Sequence, residues 1–162
     1  MEIERQFLVK DLPPLPAECE TIRQGYVALE PEIRIRQIGT EQYVLTVKRG
    51  AGLVREEWET AISQREFETL STRLEPGTRL ISKRRYRLPL PDGHIAEFHI
   101  HDGHLSEFAY VEVEFPSAEA AASFTPPDWF GREVTEDARF SYSVLAKADG
   151  MEQVRKILEE ST

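Results

Sequence analysis

A chain of 162 residues with a net charge of −9 is too acidic to wrap nucleic acid over a basic surface, and long enough to bury a core of its own. Its 40% hydrophobic and 30% charged residues are the balance of a globular protein that lives in water. One cysteine, Cys19, rules out an internal disulfide and suits a reducing cytoplasm, while a charged N-terminus and the lack of a long apolar run speak against a signal peptide or membrane span.

The chain opens with EIERQFLV, a strand expected near 2–9, in which Glu2, Glu4 and Gln6 alternate with Ile3, Arg5 and Phe7. After the proline-rich turn DLPPLPAE (11–18), period-two runs predict strands near 21–29, 32–39, 42–48 and 54–61, punctuated by GTEQ (39–42) and RGAG (49–52). SQREFETLSTRL (63–74) predicts a helix with Phe67, Leu70 and Leu74 on one face, and Ser63 with Glu66 forms a capping box at its start. EPGT (75–78) leads to further strands near 79–89, 94–101 and 107–115, broken by PDGH (91–94) and HDGH (101–104). A short helix over 117–124, a TPPDWFG loop (125–131) and two helices near 137–147 and 151–160 complete the chain. Residues 1–162 read as one domain. Its class is α+β, mainly β: an eight-stranded antiparallel closed barrel with flanking helices, the C-terminal ones (about 137–160) packing on or capping it.

Sorting the strands by parity exposes a pattern. One face carries Glu2 and Glu4; Arg34 and Arg36; Thr46 and Lys48; Arg55, Glu57 and Glu59; Lys83, Arg85 and Arg87; Glu97, His99 and His101; and Glu112 and Glu114. The other carries Ile3, Phe7, Ile33, Ile35, Leu45, Val47, Trp58, Phe98, Ile100, Val111, Val113 and Phe115. A sheet merely facing water would mix signs and favour lysine, whereas here arginines dominate and like charges repeat at i, i+2. Two like charges about 4 Å apart cost on the order of 4 kcal/mol at an effective dielectric of about 20, so such clusters call for ligands of opposite sign. A closed barrel turns one parity of every strand toward a common axis, and lining that axis with charge makes a tunnel. Arginine forks and lysine ammoniums match the oxygens of a polyphosphate, and paired glutamates offer hard oxygens to Mg²⁺ or Mn²⁺. Together they point to metal-assisted phosphoryl chemistry.

These residues resemble the CYTH family, or triphosphate tunnel metalloenzymes, whose N-terminal E-x-E-x-K motif opens an eight-stranded antiparallel tunnel. The likeness spans nearly the whole chain, through EIERQFLV, RQGYV, EIRIRQ, YVLTVKRG, REEWE, KRRY, YVEVEF and PPDWFGREVTEDARFS. The resemblance implies a short bacterial triphosphatase, most often acting on inorganic tripolyphosphate, with thiamine triphosphate hydrolysis and ATP cyclisation as other activities of the fold. It implies metal carboxylates at Glu2, Glu4, Glu57, Glu59, Glu97, Glu112 and Glu114. Phosphate-binding cations would be Arg34, Arg36, Lys48, Arg55, Lys83, Arg85, Arg87 and Arg132. Catalytic roles fall to Glu4, Gln6, Glu59, Lys83 and Arg85, and similar proteins often form homodimers; no nucleic acid or membrane is implied.

Two positions depart from the pattern. Gln6 stands where the family has lysine, which keeps an amide donor but loses a positive charge; a catalytically weakened triphosphate-binding module is the alternative reading it raises. His99 stands where an acid is more usual, with Glu97 two residues earlier on the same face. HIHDGH reads as a hairpin rather than a zinc or nickel tract, Trp58 as packing beneath a helix, Trp129 as a loop anchor, and neither Cys19 nor Ser141 as a nucleophile.

Overall fold

The computed structural model describes residues 1–50, 53–148 and 150–160; Ala51 and Gly52, the end of the RGAG turn, lie outside the described residues. The strands are β1 (Glu2–Val9), β2 (Glu20–Leu29), β3 (Glu32–Ile38), β4 (Gln42–Arg49), β5 (Val54–Ala61), β6 (Ile81–Pro89), β7 (Ile95–His101), β8 (Ala109–Glu114) and β9 (Phe130–Glu133). They pair in the order β5-β4-β3-β2-β6-β7-β8-β1-β9, and a further β5–β1 pairing closes the first eight into an antiparallel barrel. The closing seam is short: Glu2 faces Arg55 and Ile3 faces Val54. Beyond it β1 continues alone on that edge until β9 takes over opposite Phe7 and Val9.

The β3–β4 and β6–β7 hairpins bend where the sequence permits a left-handed residue, at Gly39 (φ +66°) and at Gly93 (φ +93°). The apolar parity packs outward, under two helices. Helix α1 (Gln64–Ser71) carries the expected capping box, Glu66 N–H donating to Ser63 Oγ and Ser63 N–H to Glu66 Oε1. It lays Phe67 over Ile35 and Tyr43. Helix α2 (Ala118–Ser123) closes a second cluster around Phe7, Phe98, Val111, Val113, Phe124 and Phe130.

The third cluster seals one end of the barrel. Tyr26, Ile81, Phe108 and Tyr110 meet Phe140, Leu145, Ala146 and Val154 from the C-terminal segment. That segment is less helical than its pattern predicts. The stretch expected as one helix over 137–147 splits into a 3-10 turn (Ala138–Phe140) and the single turn α3 (Tyr142–Leu145), ahead of α4 (Met151–Glu160). Asp137 explains the break: its carboxylate accepts the Arg139 N–H and binds the Arg139 guanidinium, fixing a tight local turn that competes with a regular helix.

Two further expectations need correction. The barrel has a ninth strand beside it, because Phe130–Glu133 pairs with β1 instead of remaining a loop. Trp58 is 59% exposed and lies beneath no helix, since α1 packs on β2, β3 and β4 and leaves the outer face of β5 open.

Candidate active site

The inward parity lines one cavity of about 1230 Å³. Of the residues singled out from sequence, Glu2, Glu4, Gln6, Arg34, Arg36, Lys48, Arg55, Glu57, Lys83, Arg85, Arg87, Glu97, His99, Glu112 and Glu114 all reach it. The strand register explains the convergence: Lys48 faces Glu57, Arg87 faces Glu97, Arg85 faces His99, Glu97 faces Glu112 and Gln6 faces Glu112 across successive pairs. Directly opposed residues of an antiparallel pair share a face, so charges from strands far apart in sequence become neighbours.

Glu59 and Arg132 do not line the cavity. Glu59 instead accepts from Thr46 Oγ1 at 3.0 Å and pairs with Arg36 at 3.1 Å, with 38% of its side chain exposed. Arg132, 42% exposed, reaches Asp137 at the cavity rim at 3.3 Å. The Arg132 guanidinium also lies over the Phe140 ring.

Within the cavity, cations and acids hold one another. Lys48 Nζ sits 3.4 Å from Glu2 and 3.5 Å from Glu57, while Arg55 bridges Glu2 and Glu4. Arg85 pairs with Glu20 at 2.9 Å and with Glu97 at 3.6 Å, and Arg87 approaches the same two acids more loosely. Along β6 the cations are graded in exposure: Lys83 is buried, Arg85 nearly so, and Arg87 is 59% exposed.

Burial shapes the charge states. It pushes Arg36 down to about 10, helped by the neighbouring Arg34. It pushes Lys83 well below the usual lysine value, Arg34, Arg36 and Arg85 overriding the pull of Glu112. His99, stacked on Tyr110 with Nε2 3.3 Å from Glu112 Oε1, is brought to about 4 by burial and by Lys83, so it is neutral at pH 7. Burial works to raise Glu112, yet His99 and Lys83 hold it well below an ordinary carboxylate. Glu2 and Glu57 act as a pair: burial and the bond to Glu57 raise Glu2, while that bond, Lys48 and Arg34 hold Glu57 down against its own burial. The two acids are thus pushed in opposite directions, as expected of carboxyls close enough to interact.

That pair is the place where a divalent cation fits. The donors are hard carboxylate oxygens, Glu57 Oε2 is buried with the Lys48 ammonium 3.5 Å away, and Glu4 stands next to Glu2 on the same inward face. Among the described residues no three carboxylates or histidines already gather about one point, and carboxylates outnumber cations along the wall. Both facts suit a site completed by substrate oxygens and water rather than an all-protein cage.

Sequence reasoning missed one ion-pair partner and several lining residues. Glu20, which starts β2 one residue before the expected boundary, pairs with Arg85 without lining the cavity. Tyr26 shares its parity, and Tyr110 shares that of Glu112; both aromatics read as core in a linear sequence, and only the parity of their strands could have placed them inside. Glu136, Asp137 and Tyr142 arrive from the irregular C-terminal segment, where periodicity carries no signal.

A closed antiparallel barrel with charge of both signs gathered on its axis defines a tunnel protein built for a polyanion. The CYTH domain signature matches residues 1–141, and the chain belongs to that family. It is 45% identical over 148 residues to an inorganic triphosphatase of Nitrosomonas europaea, covering 90% of this chain and 96% of that protein. An inorganic triphosphatase of Acetivibrio thermocellus is 31% identical over 151 residues, covering 90% and 93%. The crystal structure of the inorganic triphosphatase NE1496 superposes with a TM-score of 0.69 at 42% identity, over 93% of this chain and 97% of that one. Among the described residues no helix is long and apolar enough to cross a membrane.

Proposed function

We propose that the chain hydrolyses inorganic tripolyphosphate to pyrophosphate and phosphate inside the tunnel, with Mg²⁺ or Mn²⁺ as cofactor. The observation that carries this reading is the convergence of Arg34, Arg36, Lys48, Arg55, Lys83, Arg85 and Arg87 on one cavity together with paired glutamates. A string of phosphates offers oxygens enough for the arginines among them, and the names of the two curated relatives support the substrate.

In this reading Arg34, Arg36, Arg85 and Arg87 take phosphate oxygens, exchanging their present carboxylate partners for substrate. Arg36 and Arg85 carry the charge that builds up as the anhydride bond breaks. Glu2, Glu4 and Glu57 would hold the divalent cation, with Glu114 beside Glu4 across the β1–β8 pair and Glu112 and Glu97 next along the same wall. A divalent cation bound there would supply Lewis acidity toward the phosphoryl oxygens, and Glu2 and Glu57 would serve it as carboxylates. Burial pushes Lys83 well below the usual lysine value, and in this reading its amine accepts a proton from the attacking water. Glu59 acts indirectly, by steadying Arg36.

The test is purified protein offered tripolyphosphate, ATP and thiamine triphosphate, with products scored as phosphate, pyrophosphate and cyclic AMP. We expect phosphate and pyrophosphate from tripolyphosphate, complete loss with a chelator, and recovery on adding Mg²⁺ or Mn²⁺. Turnover of thiamine triphosphate alone, or formation of cyclic AMP, would overturn the substrate assignment. A second reading, a binding module with little turnover, is favoured by Gln6 in the cavity wall and would give tight tripolyphosphate binding with no product.

A further inference from the structure

Below the tunnel floor, Lys83 is tied to a chain of hydrogen bonds that runs into the closed end of the barrel. Lys83 Nζ donates to Tyr142 Oη at 3.0 Å, Tyr142 Oη lies 2.9 Å from His101 Nε2, and His101 Nδ1 lies 2.7 Å from the Phe108 carbonyl oxygen. The direction of the chain follows from its last member. A carbonyl only accepts, so His101 Nδ1 carries the proton; Nε2 of the neutral ring then accepts from the Tyr142 hydroxyl, which leaves the Tyr142 oxygen to accept from Lys83. The opposite polarity would need a buried imidazolium beside the amine. His101 is fully buried, and the Lys83 nitrogen also sits 4.3 Å from the centre of the Tyr142 ring, so the amine is held from below on two sides.

We propose that Tyr142 and His101 are positioning residues for Lys83: the relay engages one N–H of the amine from below and so turns its lone pair toward water in the tunnel. The proposal rests on the triphosphatase reading. When Lys83 Nζ takes a proton from that water, the O–H bond breaks and an N–H bond forms. The oxygen then bonds to the terminal phosphorus, and the bridging P–O bond breaks with its electron pair leaving on pyrophosphate. The ammonium so formed already has an acceptor in Tyr142, whose oxygen His101 makes more electron-rich. Other groups face the same chain: Glu112, Arg34, Arg36 and Arg85 around Lys83, Glu112, Tyr26 and Arg34 around Tyr142, and His99 and His104 around His101.

The experiment compares steady-state tripolyphosphate hydrolysis by the wild type, Tyr142→Phe, His101→Leu, the double variant and His101→Gln, each checked for its melting transition. Both single variants are expected to lower kcat about 10- to 100-fold with KM changed less than about twofold. The double variant should fall no further than the worse single one, because both cut one chain. His101→Gln can still accept from Tyr142 and donate to Phe108, and is expected to regain most of the rate, which also reports on the relay should the leucine variant fail to fold. A wild-type-like kcat in Tyr142→Phe, an effect confined to KM, or fully additive losses would each overturn the relay while leaving the triphosphatase reading intact. A wild type that makes no product from tripolyphosphate overturns both.

Discussion

At Gln6 the chain carries a neutral amide on a wall where a cation would face Glu112 across the β1–β8 pair. Placing an ammonium there adds an electrostatic donor to the phosphate path, and one well-aimed donor contributes about 10²- to 10³-fold in rate. Gln6→Lys is therefore expected to raise kcat for tripolyphosphate at least about tenfold, read from initial rates at saturating substrate. Arg36→Ala should weaken tripolyphosphate binding about 10- to 100-fold, measured by titration calorimetry, since a hydrogen bond to a charged group contributes roughly 1.5–3 kcal/mol. Most of the wall was legible at this scale, because like charge repeated at i, i+2 on strand after strand repels itself unless a ligand of opposite sign lies between. Glu59 and Arg132 were harder. Their residue types match the cavity, but Thr46 and Arg36 engage one and Asp137 the other, and neither lines it.

Strands and helices that pack against the barrel were legible in proportion to their period. β1 through β8 alternate cleanly and fall within two residues of their expected ends, whereas β9 is four residues long beside a proline-rich loop, too short for alternation to register. The C-terminal segment failed for a different reason: Asp137 ties its own backbone into a turn that apolar spacing does not record. Two contacts of α1 can be tested. Ser63→Ala removes the cap and should lower stability by about 1 kcal/mol in urea unfolding. Gly25 on β2 faces Leu74 and Leu80 just past the helix, and an added Cβ would lie 2.8 Å from Leu74 Cδ2 and 2.9 Å from Leu80 Cδ2. Gly25→Ala is expected to cost about 1–3 kcal/mol by overpacking, in the same urea assay.

For the molecule as a whole, the buried histidines tie stability to pH. Burial and Lys83 bring His101 down to about 3, and the same causes bring His99 to about 4, against an ordinary value of 6.5. The unfolded chain therefore binds more protons at these sites as pH falls below about 6.5, so their contribution, present above that value, is lost progressively on acidification toward 4 and 3. Each pH unit in that window removes up to about 1.4 kcal/mol per histidine. Glu2, raised by burial, works in the opposite sense over part of the range, so the clean measurement is a difference: the melting temperature should drop further between pH 7 and pH 5 in the wild type than in His101→Gln. A barrel was foreseeable from eight hairpin-linked strands; what plugs one end of it was not, because aromatic residues from separate stretches meet there only after the chain has folded.

The gradation along β6 bears on how a polyanion would travel. A chain of phosphates arriving at Arg87 is still largely hydrated, meets Arg85 with part of its water gone, and can reach Lys83 only after its leading group has shed almost all of it. Because dehydration is costly and is repaid one cation at a time, passage favours a single leading tip over a looped middle. Longer polyphosphates would accordingly be shortened from their ends, leaving a ladder of products that differ by one unit.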